Sequence, residues 1–226
     1  MKNFIITIDG PAASGKSTVA RLLAKKIGAS FLDTGAMYRA VTYAAMESGI
    51  DLTNEEKLLE IFEQKKFSFK AENDLMEVQV DGTDVTELIR DPNVTANAKY
   101  IASAPLVRGK LVEMQRQFAS EYKAIVTEGR DQGTVAFPNA NAKFFMSAQP
   151  GERARRRLAE LKAKGLDENL EQLQKSIETR DKSDMERSVG PLKPADDAEI
   201  IDTTELNIEQ VVEKLLGFIR EKGFSE

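Results

Sequence analysis

Apolar residues fall in short runs and in stripes of helical period, divided by glycine, proline and acidic turns. Phe4-Ile5-Ile6-Thr7-Ile8 is such a run, and residues 4–9 read as a buried strand. A helix starting near Lys16 follows, with Val19, Leu22, Leu23 and Ile27 on one face and Gly28 at its end. Phe31-Leu32 is a short second strand, and a helix from about Ala36 to Glu47 runs to a stop at Gly49. Two strand–helix units in succession predict an α/β fold built on a parallel, doubly wound sheet. Ligands in such sheets bind at the carboxyl ends of the strands, which brings Asp33, Thr34, Tyr38 and Arg39 towards one edge.

The period changes between about Asp51 and Asp91. Glu55 to Phe62 is helical in pattern, whereas 67–70 and 76–80 alternate with period two, and Asp81-Gly82 is a turn signal. Small antiparallel strands inside a parallel chain predict an insert. Residues 93–120 return to helix, divided at Pro105, with Ser103 expected to cap the second part. Val107, Leu111, Met114 and Phe118 form its apolar stripe, read as core. Ala124 to Thr127 is a central strand running into Glu128-Gly129-Arg130-Asp131, and Lys143 to Ser147 is the next strand. Two polar helices, roughly 151–164 and 167–182, precede a last strand at Glu199 to Asp202 and a closing helix at 207–222.

The stretch around which the chain is organised is Gly10-Pro11-Ala12-Ala13-Ser14-Gly15-Lys16-Ser17-Thr18. Strand, glycine loop and helix in that order form a P-loop, G-x-x-x-x-G-K-[ST]. Gly10 and Gly15 let the backbone turn successive N–H groups towards one small volume, and the helix adds the positive end of its dipole. Lys16 brings a mobile charge to the outer phosphates, and the Ser17 hydroxyl is a hard oxygen ligand for Mg²⁺. The loop therefore predicts binding of a nucleoside triphosphate, and other residues must decide what is done with it.

Composition narrows the chemistry. At 226 residues the chain is one large domain, or one domain with an insert. A net charge of −5 argues against a general nucleic-acid binder. No apolar run approaches a membrane span and the N-terminal run is too short for a signal peptide, so a cytoplasmic protein without membrane partners is expected. Cysteine and histidine are both absent. That excludes disulfides, thiolate zinc sites, a cysteine nucleophile and a histidine base. Catalysis is left to carboxylates, lysine, arginine, hydroxyls and a hard metal ion, a restriction that suits phosphoryl transfer.

Arginines supply the second set of candidates. Arg39 and Arg130 each lie just past a strand's carboxyl end, where a guanidinium fork matches two phosphate oxygens. Gly129 and Gly133 flank Arg130 and suggest a tight loop. Arg153, Arg155, Arg156 and Arg157 crowd the start of one helix, bracketed by Gly151 and Gly165. Two readings stand for them, a solvated face and a hinged phosphate-binding lid. Arg180, Asp184 and Arg187 share a face if their helix continues, with a surface ion-pair ladder as the plainer reading, and Gly190-Pro191 stops the helix.

Taken together, these residues resemble the bacterial cytidylate kinases, a branch of the nucleoside monophosphate kinases, over essentially the whole chain. The segments that carry the likeness are Ile8-Asp9-Gly10-Pro11 with the P-loop, and Leu32-Asp33-Thr34-Gly35-Ala36-Met37-Tyr38-Arg39. It continues in Ile89-Arg90, Val107-Arg108, Glu128-Gly129-Arg130-Asp131, the arginine-rich helix, and Arg180-Asp181 to Arg187 with Pro191. The resemblance implies a P-loop three-layer fold with a central five-stranded parallel sheet, a small antiparallel insert and a helical lid carrying Arg153 to Arg157. The insert region, 51–105, would bind the monophosphate, and 150–190 would form the lid.

The implied reaction moves the ATP γ-phosphate to CMP or dCMP with Mg²⁺. By position, Arg39 and Arg130 would hold the acceptor phosphate, Arg180 and Asp184 would contact the sugar, and Arg108 and Arg187 the base. Cytosine offers acceptors at O2 and N3, whereas uracil carries a donor at N3 and would leave an arginine N–H unpaired, at about 1–3 kcal/mol. Asp33 and Asp131 are expected to order the metal's waters or the arginines. Two positions depart from the pattern. Lys99 stands where relatives often carry a base-contacting serine, which puts that contact in doubt, and Gln132 stands where methionine is frequent and is expected to be neutral. The rivals are a P-loop kinase for another acceptor such as UMP or AMP, a GTPase-type switch and a nucleic-acid-dependent ATPase. The switch usually needs an Asn-Lys-x-Asp run that the chain lacks. A monomer is expected, as for relatives.

Overall fold

A computed structural model describes residues 3–72, 75–163 and 165–224. The first half of the chain runs β1 (Phe4–Asp9), α1 (Lys16–Lys26), β2 (Ser30–Asp33), α2 (Thr34–Glu47) and α3 (Glu55–Gln64). Then come β3 (Phe67–Glu72), β4 (Leu75–Val80), β5 (Thr83–Asp84), α4 (Pro92–Ser103) and α5 (Pro105–Ser120). The second half runs β6 (Ala124–Gly129), β7 (Ala142–Ser147), α6 (Pro150–Ala163), α7 (Leu170–Met185), β8 (Glu199–Asp202) and α8 (Ile208–Glu221).

Five strands form a parallel sheet in the order β2-β6-β1-β7-β8, and β3, β4 and β5 form a separate antiparallel sheet. Side chains alternate across a strand, so the central sheet feeds two cores. Ile125 packs with Leu32, Met37, Val41, Leu58, Val78 and Leu111, beneath α2, α3, α5 and the small sheet. Its neighbour Val126 packs on the opposite face with Ile6, Ile8, Leu23, Phe144 and Leu215, beneath α1 and α8. Burial on both faces explains why β1 and β6 read as near-continuous apolar runs. A third, small cluster of Ala12, Ala154 and Ile177 joins the glycine loop to α6 and α7.

Several boundaries differ from the sequence pattern for local reasons. Helix α2 starts at Thr34, because Asp33 caps it by accepting from the Ala36 N–H at 2.8 Å. Ser103 does not cap α5. It ends α4 and donates back to the carbonyls of Lys99 and Tyr100, while Ala104 takes the cap position. Leu22 lies outside the buried stripe of α1, at 38% exposure, because Val19, Ala20, Leu23 and Ala24 already fill the contact with the sheet. The Asp81-Gly82 turn is present, with positive φ at both residues, and it leads into a third strand that the period did not reveal. Helix α7 stops at Met185 with Glu186 as its cap, so Arg187 lies past the helix rather than on its face. Lys164, the expected last residue of α6, lies outside the described residues.

Candidate active site

The loop after β1 is held in conformations that its residues dictate. Gly10 has φ +149° and Gly15 φ +86°, and a Cβ at Gly10 would overlap the Met146 carbonyl oxygen of β7. Lys16 is 5% exposed and folds back over the loop, its ammonium donating to the Pro11 carbonyl at 2.7 Å and to Ser14 Oγ at 3.3 Å. Burial, reinforced by the Arg130 charge, pulls its amine down to about 7. Ser17 Oγ donates to Glu128 Oε1 at 2.9 Å, and Thr34 Oγ1 donates to the Glu128 carbonyl at 2.7 Å. The ends of β1, β2 and β6 therefore meet at Glu128, a residue of the sequence motif to which the chain pattern gave no role.

Ala12 is gripped by both polar helices. Its N–H donates to Asp181 Oδ1 at 2.9 Å, and its carbonyl accepts from Arg153 Nη1 at 2.9 Å, while Arg153 and Asp181 pair directly. Arg153, 5% exposed, also donates to the Ala148 carbonyl at 3.0 Å. The four clustered arginines thus have different surroundings. Arg153 turns to the backbone of the loop. Arg156 donates to Glu152 and to Thr203 and Thr204 beyond β8. Arg155, exposed, and Arg157, half-buried, pair with Glu152 and Glu160 on their own helix. Gly151 sits in the first turn of α6 rather than before it.

Past the ends of β2 and β6, carboxylates and guanidinium groups interleave. Arg39 pairs with Asp33 at 3.5 Å, and Gly35 leaves the room for it, since a Cβ there would stand 3.0 Å from Arg39 Nη1. Arg130 Nε donates to Asp184 Oδ2 at 2.7 Å. Arg187 faces the other oxygen of Asp184 at 3.5 Å and donates from Nε to its carbonyl. Arg108, 3% exposed on α5, pairs with the buried Asp131, donates to the Ala102 carbonyl at 3.1 Å and lies 5.6 Å from the Tyr38 ring centroid. Burial pushes the Tyr38 phenol up to about 12. Arg180 is on the solvent side of α7, yet lost hydration and then the Arg130 charge hold its guanidinium below its ordinary range. Among the described residues, buried N–H groups that make no hydrogen bond include Arg39 Nε, Arg108 Nε and Arg187 Nη2, the last held only by its 3.5 Å ion pair with Asp184. Three buried guanidinium N–H groups without a hydrogen bond favour an anionic or acceptor-rich ligand.

Gln132 sits at a buried junction. It is 2% exposed, accepts from Thr127 Oγ1 at 3.1 Å and donates to Gln115 Oε1 at 3.4 Å. It opens a π-type turn, Gln132–Ala136, that no pattern of apolar residues signals. Lys99 is exposed on α4, its ammonium 5.1 Å from the Tyr100 ring centroid.

Comparison with known proteins finds likenesses of sequence and of fold. The family model described as cytidylate kinase matches residues 6–221. A curated cytidylate kinase of Bacillus thuringiensis (strain Al Hakam) is 49% identical over 218 residues, covering 96% of each chain. One from Bacillus cytotoxicus is 48% identical over 220 residues, covering 97% of each. The crystal structure of TT1252 from Thermus thermophilus matches all of both chains at TM-score 0.51 and 20% identity, a likeness of fold alone.

Proposed function

The chain belongs to the cytidylate kinase family, and from that premise we propose how its residues divide the work of a nucleotide kinase. The reaction transfers the γ-phosphate of ATP to CMP or dCMP, releasing ADP and CDP or dCDP. The single observation that best supports the assignment is the set of buried guanidinium N–H groups at Arg39, Arg108 and Arg187 that make no hydrogen bond. A monophosphate and a cytosine together supply the acceptors those donors lack.

In this reading Gly10 to Thr18 cradle the ATP phosphates, and Lys16 swings from Pro11 and Ser14 to the transferring group. Arg39 and Arg130 hold the acceptor phosphate, Arg180 and Asp184 the sugar, and Arg108 and Arg187 the base edge. Residues 51–105 form the acceptor-binding region and 150–190 the lid, with Arg153 bracing the loop and Arg156 and Arg157 joining the site on closure. The acceptor phosphate is already an anion near neutral pH, so the attacking oxygen needs no strong base, in keeping with a chain without histidine. The barrier is the approach of two polyanions, which the lysine and arginines neutralise without moving a proton.

Ser17 and Glu128 suit Mg²⁺, because a hydroxyl and a carboxylate 2.9 Å apart are both hard oxygen donors. The ion would supply charge neutralisation on the nucleotide oxygens. Asp131 serves the arginines, through Arg108. Among the described residues no helix is long and apolar enough to cross a membrane, and a cytoplasmic monomer acting on small molecules fits the reading. Calorimetric titration tests it. CMP and dCMP should bind at least about tenfold tighter than UMP, as one mispaired base contact requires. Equal UMP affinity would remove the base roles of Arg108 and Arg187.

A further inference from the structure

Asp9 ends β1, and the next residue, Gly10, opens the P-loop. The Asp9 side chain, 4% exposed, bonds to the loop that follows the adjacent strand β6, whose Gly129 is its partner in register. Its Oδ1 accepts from the Gln132 N–H at 2.8 Å and its Oδ2 from the Gly133 N–H at 2.7 Å. Those two amides begin the π-type turn directly after Arg130 and Asp131. One carboxylate therefore ties the strand that presents the donor loop to the loop that presents the acceptor arginine.

The junction has little freedom to rearrange. A Cβ on Gly133 would stand 3.0 Å from Thr7 Oγ1 and 3.4 Å from Asp9 Oδ2, and one on Gly129 would stand 2.8 Å from Gln132 Cγ. Gly10 lies against the Met146 carbonyl, so Asp9 cannot slide along β1. Two adjacent amides aimed the same way need two acceptor oxygens on one group, which a carboxylate supplies and a hydroxyl does not. Burying an acid here works against its hydration, so a tie between two backbone segments is the gain that accounts for it.

We propose that Asp9 is the positioning residue for acceptor binding, holding Arg130 and Asp131 in register with the P-loop so that donor and acceptor phosphates meet at a fixed separation. The proposal rests on the acceptor reading of Arg130. Asp9 acts through Arg130 and touches no substrate.

The test is a binding cycle on the full chain. Asp9→Asn keeps the shape and loses one acceptor oxygen. Gly133→Ala strains the same junction from the other side, and it decides the matter if Asp9→Asn does not fold. Calorimetry with CMP and with a non-hydrolysable ATP analogue should show CMP affinity down about tenfold and analogue affinity within about twofold. On an Arg130→Ala background, either change should cost clearly less CMP affinity than in the wild-type chain, the remainder passing through Asp131 and Arg108. The proposal falls if folded variants lose CMP and analogue affinity together, keep CMP affinity, or add their full loss to that of Arg130→Ala. Unchanged CMP affinity in Arg130→Ala alone would overturn the acceptor reading, and the proposal with it.

Discussion

Arg130 and Asp184 are bonded to each other, Nε to Oδ2 at 2.7 Å, with both side chains largely out of solvent. The bond joins the end of β6 to the last turn of α7. Asp184 also faces Arg187, and its carbonyl accepts from the Leu192 N–H at 2.8 Å. The residue assigned to the acceptor phosphate and the one assigned to the sugar thus orient each other. Asp184→Asn should leave the fold intact and lower kcat/KM for CMP and dCMP alike by about tenfold or more, the worth of one charge-assisted hydrogen bond. Steady-state kinetics beside a thermal melt would check it, and unchanged kcat/KM would dissolve the pairing's role.

Lys16 is expected to matter for turnover and little for stability. It is buried, and its amine is already pulled down to about 7, so the fold gains little from its charge. Lys16→Met should reduce kcat by at least about 10²–10³-fold, the scale of one lost transition-state donor, while the melting temperature holds or rises. Full activity in a folded Lys16→Met protein would remove Lys16 from the mechanism.

Gly190 has φ +61°, and a Cβ there would overlap both Asp131 Oδ2 and Arg108 Nη2. The segment after α7 is therefore pressed backbone-first onto a buried ion pair. Gly190→Ala should part that pair and destabilise the fold by about 3–5 kcal/mol, together with a loss of CMP affinity. Denaturant unfolding reads the first effect and calorimetry the second. Wild-type stability would mean that the segment can lift away without cost.

Asp9 gives the pH dependence a sign. Burial, helped by the charge of Asp131 and opposed by Lys16 and by the two backbone donors, lifts its carboxyl from 3.8 to about 6. Between those values the folded chain holds the proton more tightly than the unfolded chain. The Asp9 contribution is complete below pH about 4 and declines as pH rises through about 6. Subtracting the stability curve of Asp9→Asn isolates it, because the lowered acids at Asp51, Asp81, Asp84, Asp197, Asp202 and Glu213 are common to both proteins. The difference should fall by about 1–3 kcal/mol across that window, and a flat difference would contradict the raised carboxyl.

Much of this was legible in the chain because it rests on local signals. The run Phe4 to Ile8, the glycines of the P-loop and the apolar stripe of α5 each announce an element from neighbouring residues. The arginines were legible as chemistry, through their place at strand ends. What stayed hidden depends on contacts distant in sequence. Asp181 looks like one more acid on a polar helix until it is found on the Ala12 N–H, 169 residues away. Glu128 became a candidate ligand only when β1 and β6 set it beside Ser17. The Gln132 junction stayed hidden because a single polar residue after a glycine loop does not reveal a buried partner such as Gln115 on α5. Arg155 and Arg157 share a run with Arg153, but the fold points only Arg153 at the loop.

The central claim is acceptor-dependent phosphoryl transfer with cytosine selected by arginine. The most direct measurement is ADP release from ATP and Mg²⁺ with CMP, dCMP, UMP, AMP or GMP, and with no acceptor. The account predicts fast release with CMP and dCMP, at least about tenfold slower release with UMP, and almost none without an acceptor. ATP hydrolysis at the same rate with and without acceptor would contradict it.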